Sequence, residues 1–247
     1  MIHFALLERM PEGFRIEDQQ KQVAAVFQEG MDLLNAGKAD LAQGKFGELP
    51  EWFNRIVFMS GPGLISAGRT AETTVHLEPG VYLLECYVKT GGVFHSYSSS
   101  PSSYGMVHEL VVTDEASTAP EPSATLEITL SGERGIEVEG ELVPGAHTVA
   151  VRFEDQKVHE NFVGHDVHLV RLEEDSDLEE LAAWMDWTRP NDLETPAPAE
   201  FLGGTHEMPP GGTAYFNVRL EPGRYAWIAE VTSPLEKGML KTFTVQP

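Results

Sequence analysis

Apolar and polar side chains alternate along most of the chain, the pattern of strands with one buried face. Thr125-Leu126-Glu127-Ile128-Thr129-Leu130 and Ile136-Glu137-Val138-Glu139 alternate in this way, and so does Thr148-Val149-Ala150-Val151-Arg152-Phe153 beyond a Pro144-Gly145 turn. Thr73-Thr74-Val75-His76-Leu77 runs through Glu78-Pro79-Gly80 into Val81–Val88, two strands joined by a Pro-Gly hairpin. Helical spacing is confined to two places. Ile16, Val23, Phe27, Met31 and Leu34 share one helix face, and Gly37 stands where a helix commonly ends on a left-handed residue. Ser176-Asp177-Leu178-Glu179 reads as a capping box ahead of Leu181, Ala182 and Trp184. The expectation is a mainly β fold with two helical insertions.

The strands come in two sets. Phe58-Met59-Ser60-Gly61, Ala67–Ala71 and Leu77-Glu78-Pro79-Gly80-Val81-Tyr82 are matched 143 residues later by Phe201-Leu202-Gly203-Gly204, Pro210–Ala214 and Leu220-Glu221-Pro222-Gly223-Arg224-Tyr225. Gly105-Met106 matches Gly238-Met239 at an offset of 133, and His3–Glu8 matches His168–Glu173 at an offset of 165. Blocks agreeing in order indicate an internal repeat. The expected division is a first unit over 1–116, a polar, proline-bearing linker over 117–123 and a second unit over 124–247. The second unit opens on strand-like residues 125–153 that the first lacks, so the first is expected to be N-terminally truncated, with an exposed sheet edge. The paired glycines are expected at hairpin turns.

Leu77-Glu78-Pro79-Gly80-Val81-Tyr82, Cys86, His95, Gly105-Met106 and the strand Glu109-Leu110-Val111-Val112 resemble the C-terminal part of a cupredoxin. The likeness covers the second half of each unit well and the first half loosely. It extends to a group of bacterial exported cupredoxin-like proteins with a His-x-Val-x-Leu-Val-Arg-Leu strand and a later Gly-Met pair. The resemblance implies two Greek-key cupredoxin-like β-sandwich units, each with a helical insertion, and an exported, periplasmic or extracellular protein. Ligand chemistry then suggests a copper site in the first unit. Two imidazoles, a thiolate and a weak axial thioether suit blue copper, and His3, Cys86, His95 and Met106 supply one residue for each place. Ten residues between His95 and Met106, rich in serine, depart from the family's tight loop. That loop is expected to displace His95 and leave His3 near the sulfur, with His108 as a competing imidazole. Alternation along Val81–Val88 turns Tyr82, Leu84, Cys86 and Val88 inward and Glu85 to the opposite face. The second unit has Ala229 in place of Cys86 and retains only His168 and Met239 of the set.

Composition removes several classes of function. Seventeen Lys and Arg against 39 Asp and Glu leave a net charge of −22, the wrong sign for nucleic acid or an anionic membrane surface. No apolar run is long enough for a membrane span, and Met1–Leu7 carries no basic leader of a secretion signal. Cys86 is the single cysteine, so the chain forms no internal disulfide. His159, His165, His168, Glu160 and Asp166 imitate a zinc cluster, but His165 and His168 are an odd number apart and face opposite ways on a strand. No nucleophile elbow or phosphate loop is present. The expected function is a non-enzymatic, exported two-unit binding or scaffold protein for an unknown protein or small ligand, needing no cofactor. The alternative is a copper-binding electron-transfer or copper-handling protein using the first unit.

Overall fold

A computed structural model describes every residue except Pro101, which lies in the serine-rich loop. The fold is mainly β and of the sandwich class. Strands β1 (Leu6–Arg9), β2 (Val57–Phe58), β4 (Gly80–Glu85) and β7 (Val107–Val112) form one antiparallel sheet in the order β2-β1-β4-β7, while β3 (Thr73–Val75) lies elsewhere. A small hairpin, β5 (Lys89–Thr90) with β6 (Val93–Phe94), follows β4. In the second half, β11 (Val167–Leu172), β12 (Glu200–Thr205), β14 (Gly223–Ile228) and β15 (Leu240–Val245) form a sheet in the order β12-β11-β14-β15. The offsets of 143 and 133 carry β4 onto β14 and β7 onto β15, residue for residue. Tyr82 donates its hydroxyl to the Glu78 carbonyl at 2.7 Å, and Tyr225 to the Glu221 carbonyl at 2.9 Å, so each Pro-Gly turn is tied by the tyrosine that follows it.

The remaining strands, β8 (Leu126–Ser131), β9 (Gly135–Glu139), β10 (Gly145–Phe153) and β13 (Thr213–Leu220), build a five-stranded sheet in the order β3-β13-β10-β8-β9. Only β8 and β10 run parallel in it. Its edge strand β3 comes from the first half of the chain and pairs Thr73–Val75 with Ala214–Phe216. The first half therefore contributes a strand to a sheet otherwise built by the second.

Helix begins at Ile16 and continues to Asn35 through α1 (Ile16–Asp18), a wider π-helical stretch over Gln19–Ala24, and α2 (Ala25–Asn35). The π stretch absorbs the seven-residue step from Ile16 to Val23. Gly37 closes the helix at φ +71°, with its N–H on the Leu34 carbonyl. Helix α3 (Ala39–Phe46) follows, without a periodic signal of its own. In the second insertion, α4 (Leu178–Trp184) is capped by Asp177, which accepts the N–H groups of Glu179 and Glu180, one residue later than the capping-box reading. Ser176 instead accepts the N–H of Glu173.

The segment Val57–Ser66 is hydrogen-bonded on both edges. On one side Met59 N–H reaches Leu7 O, Ala5 N–H reaches Pro62 O, and His3 and Ile65 exchange bonds of 3.2 and 2.8 Å. On the other, Ser60 N–H reaches Glu207 O, Gly63 N–H reaches Gly204 O, and Gly203 N–H reaches Leu64 O. The two four-stranded sheets are thus joined edge to edge, over one core that runs from Ile2, Phe4 and Cys86 through Leu64 to Val167, Phe201 and Trp227. A second cluster of Met10, Ile16, Val23, Trp52 and Leu83 seats the helices on the first sheet.

Close backbone approach along this seam explains glycines expected at turns. Gly61 (φ +122°) and Gly204 (φ +142°), which the repeat sets against each other, lie within paired backbone instead. A Cβ there would stand 1.9 Å from Ala5 O and 2.1 Å from Val167 O respectively. Gly61→Ala combines a strained φ with a collision against main chain, and should cost at least ~3 kcal/mol. Urea unfolding of the variant beside wild type measures this; an unchanged midpoint would contradict the described seam.

Candidate metal centre

Five main-chain hydrogen bonds fix the parts of the site. His3 is clamped by its reciprocal bonds with Ile65. Cys86 follows β4 directly and gives its N–H to Met106 O at 3.0 Å. His95 follows the β5–β6 hairpin, donates to Val88 O at 2.9 Å and accepts from Met106 N–H at 2.6 Å. The result brings Cys86 Sγ to 3.7 Å from Nδ1 of His3 and to 3.7 Å from Nδ1 of His95. The two rings sit 5.1 Å apart between centroids. His95 Nε2 lies 2.8 Å from Thr90 Oγ1, which fixes the ring with Nδ1 toward the sulfur.

The expected displacement of His95 does not occur. The serine-rich loop leaves and re-enters the fold at adjacent points, because Met106 bonds back to His95 across the base of the loop. Gly105 makes that closure fit, since a Cβ there would meet His95 O and the Ser96 backbone within 2.5 Å. Loop length therefore has no leverage on the ring. Met106 holds the site through its backbone, and its side chain is 47% exposed at the rim. His108 is exposed on β7 opposite Leu84, and is not part of the cluster. In the second half, Ala229 N–H bonds Met239 O at 2.9 Å, the same contact as Cys86 with Met106, around a residue with no donor atom.

Burial governs the electrostatics. Cys86 is 2% exposed, and loss of water pushes its thiol up to about 11, with the N–H groups of Phe4 and Val88 acting in the opposite direction. His3 lies below the ordinary imidazole range, first from burial and then from the N-terminal ammonium. His95 is lowered by burial and by His3. Both shifts favour the neutral imidazole, the form that binds a metal.

The donor spacing fits a metal. For bonds of about 2.0 Å to imidazole nitrogen and about 2.3 Å to thiolate sulfur, a trigonal arrangement puts S and N about 3.7 Å apart, the separation seen for both rings. Thiolate with two imidazoles is a copper donor set.

Glu85, on the face opposite Cys86 as alternation implies, is nonetheless 8% exposed. Helices cover that face. Its carboxylate accepts from Gln19 Nε2 at 2.6 Å and neighbours Glu8, beside a cavity also lined by Tyr87 and Glu207. Deeper, Tyr87 donates to Glu230 at 3.1 Å, and Glu230 N–H bonds Asp166. The structure keeps His165 and His168 apart, as their spacing implies. The His159 and His165 rings lie 4.9 Å apart, while His168 meets Asp166 and His206. His206 sits on no recognisable motif, and only the pairing of β11 with β12 brings it there.

No family model and no curated protein matches the sequence. Among solved structures, the chain is similar to dithionite-reduced auracyanin from the photosynthetic bacterium Roseiflexus castenholzii, at 19% identity over 49% of this chain and 95% of that one, with a TM-score of 0.35. It is also similar to auracyanin B, at 21% identity over 53% and 94%, TM-score 0.34. A laccase from Pediococcus acidilactici follows at 10% identity over 70% and 37%, TM-score 0.29. Likeness at this level carries no chemistry across.

Burial of the Glu8–Glu85 pair has a measurable consequence. Glu85 is raised by burial to about 7, and Glu8 is raised by burial and by Glu85. A carboxyl raised above its unfolded value stabilises the fold below that value and loses this contribution as pH rises through the folded one. Metal-free protein should therefore unfold at a lower temperature at pH 8 than at pH 5, and Glu8→Gln should flatten the slope between those values. Thermal melts in chelator across this range check both.

Proposed function

We propose that the chain binds one copper ion between His3, Cys86 and His95 and serves as a non-enzymatic carrier of single electrons. The observation that carries this reading is the pair of 3.7 Å sulfur-to-nitrogen separations, held without a metal by main-chain hydrogen bonds. Copper on one thiolate and two imidazoles exchanges one electron between Cu(I) and Cu(II) with little change of ligands. The protein's own part is to hold the three donors. Ile65 fixes His3, the base of the serine-rich loop fixes His95, and Thr90 orients its ring. Cys86 must shed its proton to bind, so uptake releases a proton and strengthens with rising pH.

In this reading the chain is a tandem of cupredoxin-like units, and the second is a scaffold. Coincidence of β4 with β14 and of β7 with β15 supports the tandem, and Ala229 supports the loss of metal from the second unit. We place the protein in the periplasm or outside the cell, on the resemblance of its Gly-Met and His-bearing strands to exported bacterial proteins. Its electron partners are proteins of complementary surface to a chain of net charge −22.

Adding Cu(II) to the metal-free protein should produce an intense thiolate-to-copper absorption band in the visible. Cys86→Ala should abolish it, and His95→Ala should weaken copper binding by at least about tenfold. Absence of the band in wild type, or its survival in Cys86→Ala, would overturn the assignment.

A further inference from the structure

Five carboxyl side chains, Glu8, Glu85, Asp166, Glu207 and Glu230, are buried near one another between the two sheets, and their hydrogen bonds come from Gln19, Tyr87, His168 and backbone N–H groups. Such burial is costly unless the carboxyls are protonated or a cation is bound. One neighbour favours the cation. His206 is fully buried, and neither of its ring nitrogens has a hydrogen-bond partner among the described residues. Its Nδ1 points between two carboxylates, 3.9 Å from Asp166 Oδ2 and 3.8 Å from Glu207 Oε2. Glu207 Oε2 and Glu230 Oε1 are themselves buried without partners. Ligand atoms around a single ion at about 2.1 Å are separated by a little over 3 Å, so a small inward movement of these groups would enclose one.

His168 belongs to the support of this cluster rather than to its ligands. Its Nδ1 accepts the N–H of Leu64 at 3.1 Å, so its proton is on Nε2, which donates to Asp166 at 2.9 Å. Both nitrogens are used. Asp166 is held from the other side by the N–H of Glu230 at 2.7 Å, so its orientation is fixed before any ion arrives.

We infer that Asp166, His206 and Glu207, with Glu230 beside them, form a second metal site, selective for a hard divalent cation of the Mn2+ type. One imidazole among carboxylates suits such an ion and offers copper no sulfur. The site is distinct from the thiolate centre and does not depend on it. The two share no residue, and the Phe4 ring, 4.4 Å from His206, packs 4.5 Å from Tyr87, the residue after Cys86. Access runs through the cavity lined by Glu8, Glu85, Gln19 and Glu207, of about 70 Å3, room for a few waters. Burial lowers His206 and raises Glu207 to about 8, and a cation beside Glu207 would favour its ionised form.

The test is titration of the full-length, metal-stripped chain with Mn2+ alone, following loss of the free-ion EPR signal. Wild type and Cys86→Ala should each bind about one equivalent with the same affinity. Glu207→Gln, which keeps size and hydrogen-bonding capacity, should bind at least about tenfold more weakly, and His206→Ala should bind none. Glu207→Gln should keep the wild-type melting profile and the copper-dependent visible band, separating loss of this site from loss of fold or of the thiolate centre. Retention of the free Mn2+ signal by wild type, or unchanged affinity in Glu207→Gln, would overturn the site.

Discussion

Everything near the metal centre depends on one stretch of backbone, Val57–Ser66, that is hydrogen-bonded along both edges. An ordinary edge strand leaves a row of donors and acceptors exposed. Here the outer row is taken up by Phe201–Glu207, so two sheets become one layer and the chain's two halves share a core. His3 owes its position to this seam, since among the described residues its strand-like pairing is the reciprocal bond with Ile65, and Ile65 itself bridges to Leu202 in the second half. The second half of the chain, which supplies none of the three donor atoms, is therefore still needed to place His3.

The seam has an electrostatic counterpart. Joining the sheets buries polar groups that a single sandwich would leave in water, among them Glu8, Glu207, Glu230, Asp166 and His206. In a medium of low polarity each ionised group needs a partner or a change of protonation. Burial raises Cys86, Glu85 and Glu207 when no metal is present, and a metal ion bound at such a group would take the place of its proton. Binding at either place is then coupled to pH and to the rigidity of the joint between the halves.

Much of the fold was legible in the sequence because it rests on local signals. Alternation marked the strands, and Gly37 marked the end of its helix. Pro-Gly marked the turns before β4 and β14, but each turn leads from one sheet into another and is not the expected hairpin, because β3 and β13 pair with each other. Three of the four proposed copper residues, His3, Cys86 and His95, are together in space, and Met106 is beside them through its backbone. What escaped was set by tertiary contact. Loop length suggested that His95 would be displaced, whereas the closure of the loop by Met106 and Gly105 decides where the ring lies. Alternation put Glu85 opposite Cys86 but gave no sign that helices cover that face. Gly61 and Gly204 looked like turn residues, and they permit backbone contact across the seam. His206 carries no spacing relation to Asp166, and only the β11–β12 pairing reveals it.

The chain holds one sulfur and two imidazole nitrogens around a single point before any metal is bound. X-ray absorption at the copper edge, on protein loaded with one equivalent of copper, reads that arrangement directly. The account requires a first coordination shell with one short copper–sulfur bond and two imidazole nitrogens, in both the oxidised and the reduced states. A shell of oxygen and nitrogen without sulfur would contradict it.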